Sequence, residues 1–185
     1  NLNFGTGPFS LETWFKWDGG EAEPVSNIIR KSDYPFEGPG AGYWLRIGNS
    51  NRLLEFYVGE TTGIEGAPRG IITTSISWQT WYQVIATRDS GGTMKLYVNG
   101  ELKGTAEAPG ANTTSEAPFT IGAWNDRFGV NELFPGEIEE VAVYSKALDV
   151  SEVERAYLRF QITFPIPELG NCRNKAECAS YCESD

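Results

Sequence analysis

The chain has 185 residues, of which 40% are hydrophobic, 13% aromatic and 22% charged, a composition suited to one folded domain with a real core and too apolar for disorder. With 15 Lys and Arg against 25 Asp and Glu the formal charge is −10, so a phosphate backbone or an anionic membrane surface is repelled and nucleic acid is not the expected partner. The chain has no histidine, which removes the commonest general base, the commonest transition-metal ligand and every Ser-His or Cys-His dyad.

Asn1-Leu2-Asn3-Phe4 has neither the basic nor the apolar stretch of a signal peptide, and no apolar run is long enough to span a membrane. A first residue other than Met and abrupt ends suggest a mature fragment or an excised domain of a larger parent chain. From there to about residue 144 the chain reads as short alternating segments divided by turn residues, the pattern of an antiparallel sandwich. Phe9 to Trp17 ends at Asp18-Gly19-Gly20, and Gly42 to Ile47 ends at Gly48-Asn49. Leu53 to Val58 alternates, and Trp81 to Arg88 runs to Asp89-Ser90-Gly91-Gly92. Met94 to Val98 meets Asn99-Gly100 and then Glu101-Leu102-Lys103, the strongest short hairpin signal. Phe119 to Gly122 and Glu137 to Tyr144 complete at least seven expected strands. Ser151-Glu152-Val153-Glu154 reads as a capping box opening a short helix that packs across one end. Gln161 to Gly170, with Pro165 and Pro167, reads as an extended connector, and a tail over 171–185 holds all three cysteines. The expected division is a domain over 1–160 and a connector with tail over 161–185.

The segment Phe9-Ser10-Leu11-Glu12-Thr13-Trp14-Phe15-Lys16 resembles the opening strand of a laminin-G-like jelly roll of the concanavalin A-like lectin and glucanase superfamily. Trp81-Tyr82-Gln83-Val84 is similar to that family's Trp-centred strand, Lys95 to Glu101 to its hairpin, and Phe119 to Gly122 to the strand after it. Gly136 to Leu148 with the following helix is similar to its closing signature, so the resemblance runs in order from about 9 to 158. It implies an all-β fold, a two-sheet antiparallel jelly-roll sandwich. Because the superfamily includes sugar-binding modules, adhesion domains, glycosidases and structural spacers, activity has to be argued from sites.

Glu137-Ile138-Glu139 places two acids on one strand face and resembles the catalytic strand of laminarinase-type glycosidases. The next same-face position is Val141, so the third carboxylate is lost and catalysis is not expected. The resemblance also implies a structural Ca²⁺, with Glu139 standing where the family's closing strand carries Asp, and Asn3 and the Gly5 carbonyl supplying the N-terminal side. Parity puts Glu139 on one face with Val141 and Val143, toward the core edge; a bulge would reverse this and leave it solvated.

With Leu45, Ile47, Leu54, Phe56, Val58, Leu96 and Val98 facing the core, parity places Trp44, Arg46, Glu55, Tyr57, Lys95 and Tyr97 on outer faces. Trp44, Arg46 and Tyr57 combine ring surface with hydrogen-bonding groups, as a sugar site requires. Trp14, Trp78 and Trp81 read as core or sheet-edge residues. A second candidate is the rim loop containing Trp124, Asn125, Asp126 and Arg127, which is equally compatible with ordinary turn chemistry. Cys172, Cys178 and Cys182 lack a fourth zinc ligand, so a disulfide is expected, with Cys172 free to bridge to either of the others and one thiol left over. Asn112-Thr113-Thr114 is a glycosylation sequon in a polar loop.

Taken together, these features point to a non-catalytic extracellular or cell-surface binding and adhesion module whose partner is a glycan or a surface protein. The rival is a structural subunit or outer domain of a surface filament or stalk; a glycosidase ranks behind both.

Overall fold

The computed structural model describes residues 2–19, 25–32, 41–48, 53–60, 68–126 and 129–163. Arg127 and the cysteines Cys172, Cys178 and Cys182, with the disulfide expected there, lie outside the described residues, as does the side chain of Asp126. Along the chain run β1 (Phe9–Trp17), β2 (Ser26–Ser32), β3 (Ala41–Ile47), β4 (Leu53–Glu60), β5 (Arg69–Ser75) and β6 (Trp81–Arg88). They are followed by β7 (Thr93–Val98), β8 (Glu101–Glu107), β9 (Thr120–Ile121), β10 (Trp124–Asp126), β11 (Gly129–Asn131), β12 (Gly136–Tyr144) and α1 (Val150–Thr163).

One sheet has the order β12-β1-β6-β7-β8 and the other β5-β4-β3-β2-β9, while β10 and β11 pair as a separate hairpin. All pairings are antiparallel. The inner faces bury Phe9, Leu11, Phe15 and Trp17 of β1, Val84 and Ala86 of β6, and Met94, Leu96 and Val98 of β7 against Ile28, Ile29, Tyr43, Leu45, Leu54, Phe56 and Val58. Side chains at every second position form this layer because neighbouring residues of a strand point to opposite faces. The Asn99-Gly100 turn joins β7 to β8 with φ of 52° and 79°, the left-handed pair that such a hairpin needs.

Strands β2 and β5 and the β10–β11 hairpin were not anticipated. In β2 every residue is buried, and Ser26-Asn27-Ile28-Ile29-Arg30-Lys31-Ser32 shows no polar and apolar alternation to read. A register shift between Asn27 and Ile29 lets both Ile28 and Ile29 reach the core.

A second irregularity corrects the expected orientation of Glu139. The β1–β12 register jumps from Trp14 opposite Glu139 to Glu12 opposite Ala142, and Glu140 within the gap has φ 51°. This bulge reverses the parity: Ile138, Val141 and Val143 pack on the core, while Glu139 is exposed. Trp78 is also displaced from its expected place. It is exposed, and its ring lies against Gly19, where a Cβ would collide with it.

The chain divides into two compact units, Asn1–Leu148 and Asp149–Asp185. The helix spans 14 residues and includes 161–163, where an extended connector was expected. Its cap is Asp149, not Ser151. Asp149 Oδ1 accepts from the Glu152 backbone N–H at 2.9 Å, and Glu152 Oε2 accepts from the Asp149 N–H at 3.2 Å, so the reciprocal box sits two residues upstream of the Ser-x-x-Glu pattern. Ser151 Oγ instead donates to Asp149 at 2.7 Å, which with the backbone bonds holds the Asp149 carboxyl below its usual range. Among the described residues no helix is long and apolar enough to cross a membrane.

Candidate functional site on the outer face of the second sheet

Strand pairing sets Thr120, Arg30, Trp44, Tyr57 and Ile71 in one row across the sheet, each directly opposite the next. Asn27, Arg46, Glu55 and Thr73 form the adjacent row. None of these side chains belongs to the core layer, so both rows lie on the sheet's outer face, where parity had placed Trp44, Arg46, Glu55 and Tyr57.

The row is a ladder of flat groups. The Trp44 and Tyr57 rings stack with centroids 3.9 Å apart and planes 5° from parallel. Beyond Trp44, the Arg30 guanidinium lies 5.2 Å from that ring and 3.7 Å from the ring of Trp124, which β10 brings over the sheet. The Arg46 guanidinium lies 4.8 Å from Trp44. Cations over indole faces are held by the ring quadrupole, an attraction that strengthens as water is excluded. Water is largely excluded here: Arg30, Trp44, Tyr57 and Trp124 retain only 4%, 8%, 7% and 9% of their exposure.

Carboxylates fix both arginines. Arg46 Nε donates to Glu55 Oε2 at 2.7 Å, and the missing Cβ of Gly48 leaves room for that carboxylate. Arg30 donates from Nε to Ser32 Oγ at 2.8 Å and from Nη1 to Glu132 Oε2 at 3.1 Å. The same Glu132 oxygen accepts from Asn27 Nδ2 at 2.6 Å, while the Glu132 carbonyl accepts the Asn27 N–H at 3.1 Å. Glu132 makes these contacts from a left-handed backbone, φ 48°, a conformation that costs a non-glycine residue about 1 kcal/mol. It fastens the segment after β11 to β2. Tyr57 Oη donates to the Glu60 carbonyl. Burial pushes the Tyr57 hydroxyl up, and Glu60 adds to this while Arg69 and Arg46 oppose it.

Three buried polar atoms here have no hydrogen-bond partner among the described residues: Trp44 Nε1, Asn27 Oδ1 and Asn131 Oδ1. The remaining two such atoms, Trp17 Nε1 and Arg88 Nε, belong to inner-face side chains. Arg88 is otherwise engaged, donating to the carbonyls of Gly7, Ala108 and Ala111.

The structure therefore gathers Trp44, Arg46, Tyr57 and Trp124, drawn from two separate expectations, into one cluster. It corrects how they present themselves. Stacking on a sugar needs an open ring face, and these rings turn their faces to each other and to guanidinium groups, which leaves edge polar atoms as the unsatisfied groups. Asn125 is exposed and pairs with Val130, and Asp126 pairs through its backbone with Gly129. Lys95 is half-buried, and Tyr97, expected on an open outer face, is buried. Sequence reading missed Asn27, Arg30, Asn131 and Glu132. The one available signal was a charged pair, Arg30-Lys31, following Ile28-Ile29 without alternation.

The residues nominated for calcium do not fit one ion site. Gly5 O already accepts from Thr113 N at 2.9 Å and Thr113 Oγ1 at 3.0 Å, and Asn3 Oδ1 accepts from Ser115 N at 3.1 Å. This segment sits at the Phe9 end of β1, where Phe4 stacks on Phe9. Glu139 pairs with Trp14, five residues or roughly 17 Å further along the strand. No group of three or more acidic, Cys or His side chains suited to a metal occurs among the described residues. Of the two acids considered for catalysis, Glu137 pairs with Lys16 and Glu139 is solvated.

Comparison with known proteins agrees with this architecture. The laminin G family model described as the concanavalin A-like lectin/glucanases superfamily matches residues 1–154. The chain belongs to that superfamily. No curated protein matches it. Among solved structures, it is similar to a Bacteroides ovatus protein to which carbohydrate binding has been attributed, with TM-score 0.62, 22% identity, and 84% of this chain and 41% of that one covered. It is also similar to the binding domain of botulinum neurotoxin DC, solved in complex with SialylT, with TM-score 0.62, 21% identity and coverage of 84% and 36%. In the complex of that domain with rat synaptotagmin II the TM-score is 0.56, the identity 18% and the coverage 84% and 37%. At these identities the likeness is one of fold, and this chain spans well under half the length of those proteins.

Proposed function

We propose that this domain is a non-catalytic binding module working outside the cell or at its surface, and that its ligand is a carbohydrate taken at the outer face centred on Trp44. The observation that carries the reading is the concentration of unpartnered buried polar atoms there, Trp44 Nε1, Asn27 Oδ1 and Asn131 Oδ1, beside a fixed array of aromatic and guanidinium groups. Each such atom costs about 1–3 kcal/mol while unpaired, a cost expected where a ligand completes the set. Relatives in fold that bind glycans or receptors support a binding role in general terms. In this reading the sandwich supplies rigidity and the ion pairs Arg30–Glu132 and Arg46–Glu55 hold the ligand-contacting groups in place. The test is titration of the chain against a glycan panel, with Arg46→Ala as the site variant and Lys103→Ala on β8 as the control. Saturable binding lost in the first and kept in the second supports the site; equal binding by both excludes it.

A second reading, a protein partner or self-assembly, is favoured by one observation: Ile121, Val130 and Leu133 are exposed by 50%, 64% and 56% on β9, on β11 and just beyond β11. Exposed apolar side chains grouped in this way are characteristic of protein contacts. A concentration-dependent mass in sedimentation, abolished by Val130→Lys, would favour it.

A further inference from the structure

Resting on the carbohydrate reading, we infer that Trp78, on the turn between β5 and β6, is a stacking platform for a neutral pyranose ring, a second point of ligand contact apart from the outer face centred on Trp44. A sugar lays its C–H face on an aromatic ring, so the ring must present surface to water before the ligand arrives. The rings around Trp44 face one another and guanidinium groups. Among the described residues Trp78 is the one exposed aromatic side chain. Its exposure is 59%, more than an edge alone supplies, so ring face meets solvent.

The turn holds this ring in place. The Ser77 N–H donates to Tyr82 Oη at 3.0 Å, and the Gln79 N–H donates to the Trp17 carbonyl at 2.6 Å. Thr80 Oγ1 donates to the Trp78 carbonyl at 3.2 Å. Both anchors lead into the core, because Tyr82 packs on the buried Phe15 and Trp17 is itself a core residue. Gln79 takes a left-handed backbone, φ 53°, and Gly19, with φ 76°, leaves the room that Trp78 fills. A left-handed non-glycine residue and an exposed indole both cost stability, and packing repays neither, which is the pattern of strain kept at functional sites.

The surroundings select the occupant. Ser77, Gln79 and Thr80 are exposed beside Trp78, so within the turn the ring is bordered by two hydroxyls and an amide. A protein partner is met by grouped apolar side chains, which on this chain are Ile121, Val130 and Leu133. An anionic lipid surface is met by cations, whereas the exposed Asp18 directly follows Trp17, Lys16 is paired with Glu137 and the formal charge is −10. A single ring with a hydroxyl and amide border matches a pyranose, whose C–H face covers the indole while its hydroxyls meet the polar groups. Sugars with an uninterrupted patch of ring C–H groups, such as β-linked glucose and galactose, are the class expected.

The test uses the whole chain with oligomers of β-linked glucose and of β-linked galactose. The bound oligomer is expected to shield the most accessible tryptophan from acrylamide quenching and to shift its emission to shorter wavelength, over the same concentrations that saturate binding. Trp78→Ala should abolish both signals and weaken affinity about tenfold, and Trp78→Phe about threefold. The melting temperature should stay at the wild-type value, because the ring is exposed. Wild-type affinity in Trp78→Ala, or unchanged quenching on addition of a sugar that binds, overturns the inference; if Arg46→Ala loses that binding, the Trp44 site stands without it. Binding lost in Trp78→Ala and kept in Arg46→Ala supports the inference and removes the Trp44 site. Shielding by neutral phosphatidylcholine vesicles and by no sugar overturns it in favour of a lipid surface. Absence of binding by every glycan removes the carbohydrate reading together with the inference.

Discussion

The outer faces of the two sheets are both polar and both largely buried, yet they handle polarity differently. On the β12-β1-β6-β7-β8 sheet, the buried Glu12 accepts from Gln83 Nε2 at 3.1 Å through one oxygen and from Tyr144 Oη at 2.6 Å through the other. Among the described residues that face leaves no buried side-chain atom unpaired. On the other sheet, the ion pairs are equally well made, but Trp44, Asn27 and Asn131 keep open atoms. A closed network contributes specificity and rigidity to the fold, whereas an open one bears a cost that a ligand can relieve. In the proposed reading the first face is structural and the second is the one that takes the ligand.

The strongest attack on this contrast is Arg30→Ala. It strips Glu132 of its cation and Trp44 and Trp124 of the group between them, so a stability loss of about 3 kcal/mol is expected, which thermal unfolding would record as a fall of roughly 6–12 °C, with ligand binding lost as well. Glu12→Ala should cost about 2 kcal/mol by orphaning the donors of Gln83 and Tyr144. Glycan affinity should stay at the wild-type level, and a parallel loss of binding would break the distinction between the faces.

Alkaline titration sharpens it further. Burial raises the hydroxyls of Tyr43 and Tyr57 above their usual value. Above about pH 10 the unfolded chain gives up protons that the folded chain retains, so it binds fewer protons and stability falls as pH rises. That stabilisation is fully present below pH 10. Chemical denaturation across pH 9–12 should show the decline, and Tyr57→Phe should make it shallower.

Smaller effects are expected from two further experiments. Trp44→Phe loses packing but also removes an unpaired donor, so its stability should stay within about 1 kcal/mol of wild type. Chelation of divalent ions should leave the melting temperature unchanged, because Asn3, Gly5 and Glu139 do not converge; a drop of several degrees would show that calcium is held by other residues.

How far the chain could be read without its structure depended on the type of element. Segments in which core side chains alternate with polar or outer-face ones, such as Phe9–Trp17 and Leu53–Val58, announce themselves by that period, and Asn99-Gly100 marks its hairpin because few other pairs tolerate two positive φ angles. In strand β2 the register shift between Asn27 and Ile29 turns both Ile28 and Ile29 to the core and so breaks the alternation. With it went Arg30 and Asn27, the two residues that organise the site. Trp44, Arg46 and Tyr57 were legible as a group because strand parity is local. Their mutual stacking was not, since ring orientation depends on what lies on the neighbouring strand.

The amino-acid sequence alone determined the sandwich, its family and the face on which the candidate residues stand, because hydrophobic period and turn chemistry are properties of a few consecutive residues. Only the tertiary structure decided that Glu139 faces solvent, that Glu132 reaches back to β2 and that buried polar atoms of Trp44, Asn27 and Asn131 lack hydrogen-bond partners among the described residues. These outcomes depend on a bulge, a left-handed residue and contacts between Asn27 and Glu132, 105 positions apart, and no local pattern encodes a contact whose partner lies that far along the chain.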